Sequence, residues 1–401
     1  MKFAHLADVH IGGWQDPKLS KLNLDAFRRA IDICIEKHTA FVLIAGDLFN
    51  TALPSIDSIK DVASIIRKLK NKNISLYVVP GSHDFSPSGK SMIDVLEKSG
   101  LLINVMKVKE NKLKFTEDKT NTKITGVLGL RLGLEKEYFK TLDFKEVEDE
   151  EGFKIFIFHC SIEEYKPKDL EKVDSINVTL FPKNFDYYAG GHVHYILKEK
   201  YDRGYLCYPG PLFPNSFKEL EELKEGGFNL IEVQDNKVAN IERIIVSEKE
   251  VKTYYFDANK KTPLQVEQEI LNTVSDFKDK IVMLRIEGTL ESGKPNDINF
   301  KEIFESFKDS YAILKNTTKL VSKEFENIDV EENIEVAESK IINEHLEKIE
   351  VKDLETYKPL INNLLLSLNK EKEEGEKVLD FENRLIEECL KSLDIEKLFG
   401  K

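Results

Sequence analysis

Cysteine is sparse in this chain, and none of it is paired by spacing. Cys34, Cys160, Cys207 and Cys389 are dispersed without a Cys-x-x-Cys, so neither a disulfide framework nor a zinc ribbon is indicated. Long apolar runs are missing too, and Met1-Lys2-Phe3-Ala4-His5 lacks the apolar stretch of a secretory signal. A cytoplasmic protein without membrane association is therefore expected. Net positive charge is also absent: the formal charge is −13 over 401 residues. From Val321 to Lys401 there are 22 acidic and 12 basic residues, so that stretch carries −10 and the preceding residues stand near neutrality at −3. Such a chain is not built to coat nucleic acid nonspecifically. Action on DNA would need local basic patches, bound cations or a partner.

What is present reads as two or three domains around an ordinary apolar fraction of 41%. Residues 1 to about 250 alternate strands and helices. Strands are expected at Phe3–Ala7, Phe41–Ala45, Ser75–Val79, Lys154–Phe158, Tyr187–Ala189 and Phe228–Val233, from their β-branched and aromatic content. Apolar residues at helical spacing predict helices over Leu24–Lys37 and Ile56–Lys70. This alternation argues for an α/β domain whose ligands gather beyond the carboxyl ends of strands. From about Lys252 to Phe325 the order β-α-β-α-β predicts a small α/β unit, its first helix opened by Thr262-Pro263. Beyond Asn327, stripes at Ile341–Ile349, Leu360–Leu368 and Val378–Leu393 predict amphipathic helices, the last two separated by the charged stretch Glu371–Glu376. Their apolar faces need a cover, either a partner or the chain itself.

The chemistry lies in the histidines. Five of the eight, His10, His83, His159, His192 and His194, sit just past short apolar runs, most of them close to an acid, a glycine or another histidine. The local texts are Asp8-Val9-His10, Gly46-Asp47-Leu48-Phe49, Gly81-Ser82-His83-Asp84, Phe158-His159-Cys160 and Gly191-His192-Val193-His194. Imidazole and carboxylate are the usual ligands of small transition-metal ions, and two ions need about seven or eight of them. Residues i and i+2 of a strand point the same way, so Asp8 with His10, and His192 with His194, are expected to converge. Gly46 and Gly81 are expected to let the backbone turn sharply before Asp47 and His83. A lone His-x-His is more often a strand surface feature and a lone Gly-Asp a turn. Their joint order after strands points to a dinuclear phosphoesterase.

That order resembles the calcineurin-like metallophosphoesterases. With the charged helical tail, it is similar more narrowly to the SbcD/Mre (meiotic recombination eleven) family of double-strand-break repair nucleases, of archaeal type. The resemblance implies two central sheets flanked by helices in a nuclease domain (1–250), a DNA-contacting α/β capping domain (251–326), and a linker with C-terminal helices (327–401) that dock an SMC-like ATPase of the Rad-fifty/SbcC type. It implies two Mn²⁺ per chain, with Mg²⁺ or other divalent ions as alternatives. Asp8, His10 and His194 would hold the first ion, Asp47 would bridge, and His159 and His192 would hold the second. His83 would act on the scissile phosphate, with Asp84 orienting it or serving only as a turn residue. The expected activity is exo- and endonucleolytic cleavage of double-strand ends and single strands.

Two positions depart from the pattern. Ser82 stands where the family has asparagine, a longer and better neutral ligand for the second ion, so a higher manganese requirement is expected. Asn50 occupies a slot where some relatives have histidine. The competing readings are a phosphodiesterase on small nucleotides and a catalytically weakened scaffold. A homodimer is also implied, with Ile59, Val95 and Leu96 as candidate contacts and Ser99 interrupting that face.

Overall fold

Short runs of β-branched and aromatic residues build two facing sheets. In a computed structural model, the described residues are 1–85, 91–130, 134–167 and 173–323, then 364, 367–368, 370 and 378–393. The first sheet runs in the order Lys237–Ile245, Gly227–Gln234, Lys2–Leu6, Phe41–Ala45, Ser75–Val79, Ile103–Asn104. Its last four strands are parallel, with Leu6 opposite Ile44 and Ala45 opposite Val79. Three strands thus end at one level, and the loops after them leave from a common edge. The second sheet runs Ile196–Tyr201, Gly204–Pro209, Tyr187–Gly191, Lys154–His159, Lys123–Val127, Thr116–Glu117. Within it Gly191 lies opposite His159.

Alternate residues of both sheets meet in a buried layer that includes Phe3, Phe41, Tyr77, Ile155, Tyr187 and Ile231. Phe3 stacks on Phe41 at 5.0 Å and meets Tyr187 edge-on at 5.3 Å. Each such ring contributes roughly 1.5–3 kcal/mol by leaving water. The helices Pro17–Glu36 and Ile56–Asn71 cover the outer face of the first sheet through residues such as Phe27, Ile31, Val62 and Ile66. The result is the expected α/β sandwich of two sheets flanked by helices.

Helix Pro17–Glu36 begins seven residues before the expected Leu24 because Asp16 accepts from the N–H groups of Lys18 and Leu19, and Pro17 suits the first turn. On the short helix Met92–Lys98, Ile93 and Leu96 face the core. Leu96 is therefore not available as an interface contact. The exposed apolar residues in this region are Leu53, Ile56 and Val95, while Ile59 packs partly buried against the core.

The strands Val251–Asp257, Ile281–Leu290 and Ala312–Asn316 form a parallel sheet, with Leu320–Ser322 added beside Ile281–Leu290. Helix Pro263–Thr273 starts in a reciprocal capping box between Thr262 and Gln265. It ends at Thr273, so Phe277 reaches the local core from the following loop, 4.9 Å from Phe307. Val251, Ile281, Met283 and Ala312 belong to the same apolar cluster as helix Pro17–Glu36, and Met1–Leu320 form one compact unit.

Val321–Lys401 form a second unit. Its helix Val378–Ser392 is tied within the unit by Ser367 Oγ to Ser392 Oγ at 2.9 Å and Lys370 to Glu388 at 2.8 Å. Ile386 and Leu368 are exposed. The expected helix at 341–349 with His345, the charged stretch 371–376 and most of 360–368 lie outside the described residues. Among the described residues no helix is long and apolar enough to cross a membrane.

Candidate metal centre

Loops leaving both sheets meet at one edge of the sandwich, and their backbone is sharply bent. The expectation that Asp8 and His10 alternate along a strand is not met, since the strand ends at Leu6. Asp8, His10, Asp47, His192 and His194 instead adopt left-handed φ values of 50°, 48°, 52°, 97° and 50°. A non-glycine residue there costs about 1–3 kcal/mol and persists only where its surroundings hold it. Here they do: Asp8 N–H donates to Gly46 O, His10 N–H to Asp47 O and Ile11 N–H to Leu48 O, at 3.3, 2.9 and 3.1 Å. The buried Asp84 carboxylate accepts from the backbone N–H groups of Leu48, Phe49 and Gly81 at 3.3, 3.1 and 3.0 Å. It clamps the Asp47 loop to the His83 loop.

Glycines leave the room for this convergence. Gly46 has φ +82°, and a Cβ there would overlap the His159 ring. Gly81 has no left-handed φ, contrary to its expected role as a hinge. It is required because a Cβ would land on the Asp47 carboxylate. A Cβ on Gly191 would overlap Ala45 O.

The side chains then gather. One ligand atom each from Asp8, His10 and His194 lie within 4.8 Å of one another, as do those of Asp8, Asp47 and His159, and of His10, Asp47 and His83. His10 Nε2 is 3.0 Å from His194 Nε2 and 3.7 Å from Asp47 Oδ2. His194 Nε2 is 3.6 Å from Asp8 Oδ1. His192 joins through its ring, 5.1 Å from that of His159, and through its N–H, which donates to Asp8 at 2.9 Å. His83 donates its backbone N–H to Asp47 Oδ1 at 2.8 Å, and its ring Nδ1 is 2.8 Å from Asn50 O. His10, Asp47, Ser82, His83, His192 and His194 line a cleft of about 440 Å³ that also exposes Asn215, Lys218 and Glu219, while Asp8 and His159 are buried.

Burial and mutual charge set the protonation of the cluster. Burial pushes His10 and His192 down to about 3 and the Asp8 carboxyl upward. Burial opposes charge on His159 and His194 as well, but Asp47 holds His159 up at about 10, and Asp8 with Glu219 holds His194 up at about 9. Asp47 stays well below the usual carboxylate range despite its burial, because His159 and His10 face it. Burial and then the Asp47 charge push Asp84 up to about 7. His159 Nε2 is buried 3.1 Å from Asp47 Oδ2 without hydrogen-bond geometry. An orphaned nitrogen, an imidazole–carboxylate donor set and glycine-made space together fit small divalent cations.

Two functional neighbours were not expected from the sequence. Glu219 Oε2 lies 3.0 Å from His194 Nδ1, and Asn215 Nδ2 donates to Asn50 Oδ1 at 3.1 Å. The Ser216-x-x-Glu219 spacing, a capping-box signature, was the available signal. Other residues resolve simply. His5 Nδ1 meets Tyr187 Oη at 2.9 Å inside the core, and Trp14 Nε1 donates to Pro214 O at 2.8 Å. Arg203 pairs with Asp186 at 2.8 Å. Lys198 and Lys200 lie on the mostly exposed strand Ile196–Tyr201.

Comparison with known proteins agrees with this geometry. The profile of the calcineurin-like phosphoesterases matches residues 1–195. The chain is 28% identical to the DNA double-strand break repair protein Mre11 of Methanococcus maripaludis, over 90% of this chain and 96% of that protein. It is equally similar, at 28%, to the Mre11 of Methanocaldococcus jannaschii, over 90% and 95% of the two chains. To the Mre11 of Sulfolobus acidocaldarius it is 25% identical over 81% and 85%. With the fold and the clustered acids and imidazoles in agreement, residues 1–195 match the calcineurin-like phosphoesterases, most of the chain is similar to Mre11 repair proteins, and it is a metal-dependent phosphodiester hydrolase.

Proposed function

We propose that the chain is a manganese-dependent DNA nuclease, exo- and endonucleolytic, of a double-strand-break repair complex. The observation that carries this reading is the sharing of ligands: Asp8, His10 and Asp47 each belong to two of the three clustered groups, as a site for two adjacent ions requires. Asp8, His10 and His194 would hold one ion, His159 and His192 the other, and Asp47 both, with Ser82 beside the second. Two such ions lower the pKa of a bound water and offset phosphate charge. The chain's own residues do the rest. Asp8 and Asp47 supply fixed negative charge, and Ala45 O and Asn50 O hold the Nδ1 atoms of His159 and His83. His83 Nε2 is thereby left to contact the phosphate or protonate the leaving oxygen. Asp84 supports this by fixing the loop rather than by touching the substrate.

The relatives' name supports DNA as substrate, and the length of the match supports the remaining parts. We assign 1–250 to the nuclease domain, 251–326 to a DNA-contacting cap and 327–401 to a linker and helices. The exposed Ile386 on helix Val378–Ser392 suits docking of an SMC-like ATPase. Leu53, Ile56 and Val95 suit a homodimer contact, and a cytoplasmic location fits a repair role. The test is cleavage of linear duplex, single-stranded DNA and a small chromogenic diester with Mn²⁺, Mg²⁺ or chelator. We expect metal-dependent DNA cleavage that His83→Ala lowers by about 10²–10⁴-fold. Cleavage of the small diester with DNA untouched would favour the nucleotide reading. No metal-dependent activity on any substrate would leave only a scaffold.

A further inference from the structure

Three histidines of the centre have their Nδ1 atoms held from behind. His159 is 2.8 Å from Ala45 O and His83 is 2.8 Å from Asn50 O, both backbone carbonyls. His194 differs, because its Nδ1 lies 3.0 Å from the Glu219 carboxylate. It is also more open than His10 and His159, with 21% of its side chain exposed against 2% and 0%. A ring at the edge of a cleft, without close packing on every side, needs an acceptor to fix its tautomer and its angle. An Nδ1–H donating to Glu219 leaves the Nε2 lone pair directed toward His10 Nε2 and Asp8 Oδ1.

We propose that Glu219 is a positioning residue for the metal centre. Through His194 it sets the affinity for a divalent cation at the Asp8, His10 and His194 group. This inference rests on the metallonuclease reading above.

The carboxylate is well placed for that task. Glu219 Oε2 also accepts from Asn215 N–H at 2.9 Å, and Oε1 is 3.1 Å from Ser216 Oγ. The helix that carries it, Phe217–Leu223, is fixed from its other side. Arg285 Nε, from the strand Ile281–Leu290, donates to the Glu221 oxygens at 2.8 and 3.0 Å, and its guanidinium lies 5.2 Å from the Phe217 ring. The acceptor is therefore held before any ion arrives, and a carboxylate behind the imidazole increases the basicity of Nε2. Asn215 links the same helix start to Asn50, whose carbonyl holds His83. One short segment thus supports a ligand and the group expected to face the phosphate.

The experiment measures Mn²⁺ binding by calorimetry and spin resonance in wild type, Glu219→Gln and Leu220→Ala. Thermal melts in chelator and nuclease rates across Mn²⁺ concentration accompany it. Glu219→Gln keeps the shape but removes the charged acceptor, and we expect about 10–100-fold weaker binding of one ion. The rate at saturating Mn²⁺ should change much less than the half-saturating concentration. Leu220→Ala removes buried packing from the same helix while leaving the contacts of the Glu219 carboxylate in place, so it should lower the melting temperature without moving the affinity. Unchanged binding in Glu219→Gln would overturn the proposal. An equal loss in Leu220→Ala would overturn it too, by making the effect one of helix stability. Wild type binding no Mn²⁺ at all would instead remove the metallonuclease reading itself, and this inference with it.

Discussion

The room left by glycine at the metal centre can be measured with two substitutions that share one cost and differ in another. Gly12 and Gly46 both have left-handed φ, +88° and +82°. A Cβ on Gly12 meets nothing within 4 Å, whereas a Cβ on Gly46 overlaps the His159 ring. Gly12→Ala should therefore carry only the conformational penalty, about 1–2 kcal/mol. Gly46→Ala adds displacement of His159 from Ala45 O, which leaves a buried nitrogen without its acceptor and adds about 1–3 kcal/mol. We expect denaturant unfolding in chelator to show Gly46→Ala as the less stable by that second amount. Its affinity for divalent ions should also fall, while that of Gly12→Ala holds. Equal stability losses in the two variants, with equal ion affinity, would refute the claim that this glycine exists to admit His159.

Three further outcomes follow from the same geometry. His159 and His194, held up at about 10 and 9 by neighbouring carboxylates, carry protons that a cation must displace. Ion affinity should thus strengthen as pH rises from about 6 to about 9, by up to about tenfold per unit for each proton released. Calorimetry in buffers of different ionisation enthalpy reads that release, and a flat pH profile counts against it. Ser82→Asn should lower the half-saturating Mn²⁺ concentration for cleavage by about tenfold, the equivalent of ~1.4 kcal/mol, and unchanged metal dependence would contradict this. Ile56→Asp places a charge on a residue that is 79% exposed, so it should abolish a self-dimer in light scattering without altering the melting temperature. A wild type that remains monomeric at high concentration removes the dimer.

Strands buried on both faces were the most legible elements. Phe41–Ala45 and Ser75–Val79 match their expected bounds because continuous β-branched and aromatic runs have few other uses. The hairpin of Ile196–Tyr201 and Gly204–Pro209 was not read, because its outer strand, Ile-Leu-Lys-Glu-Lys-Tyr, is mostly exposed and resembles a polar loop. At the centre the residue types announced the chemistry, but the inference from strand alternation had the wrong geometry. Convergence depends instead on bent loops and cross-loop hydrogen bonds, which belong to tertiary structure. Glu219 was hidden for a plainer reason: acids on short helices are common, and only the fold brings this one to His194.

The left-handed turns at Asp8, His10, Asp47, His192 and His194 have a consequence for how the protein ages and evolves. Their shape is imposed during folding, so an arriving ion meets donors that need little rearrangement, and loading should be quick. The metal-free protein retains the tension. Substitutions that stiffen the rest of the sandwich should be tolerated freely, whereas those that relax these five turns should yield a sturdier molecule with a poorer grip on its cations.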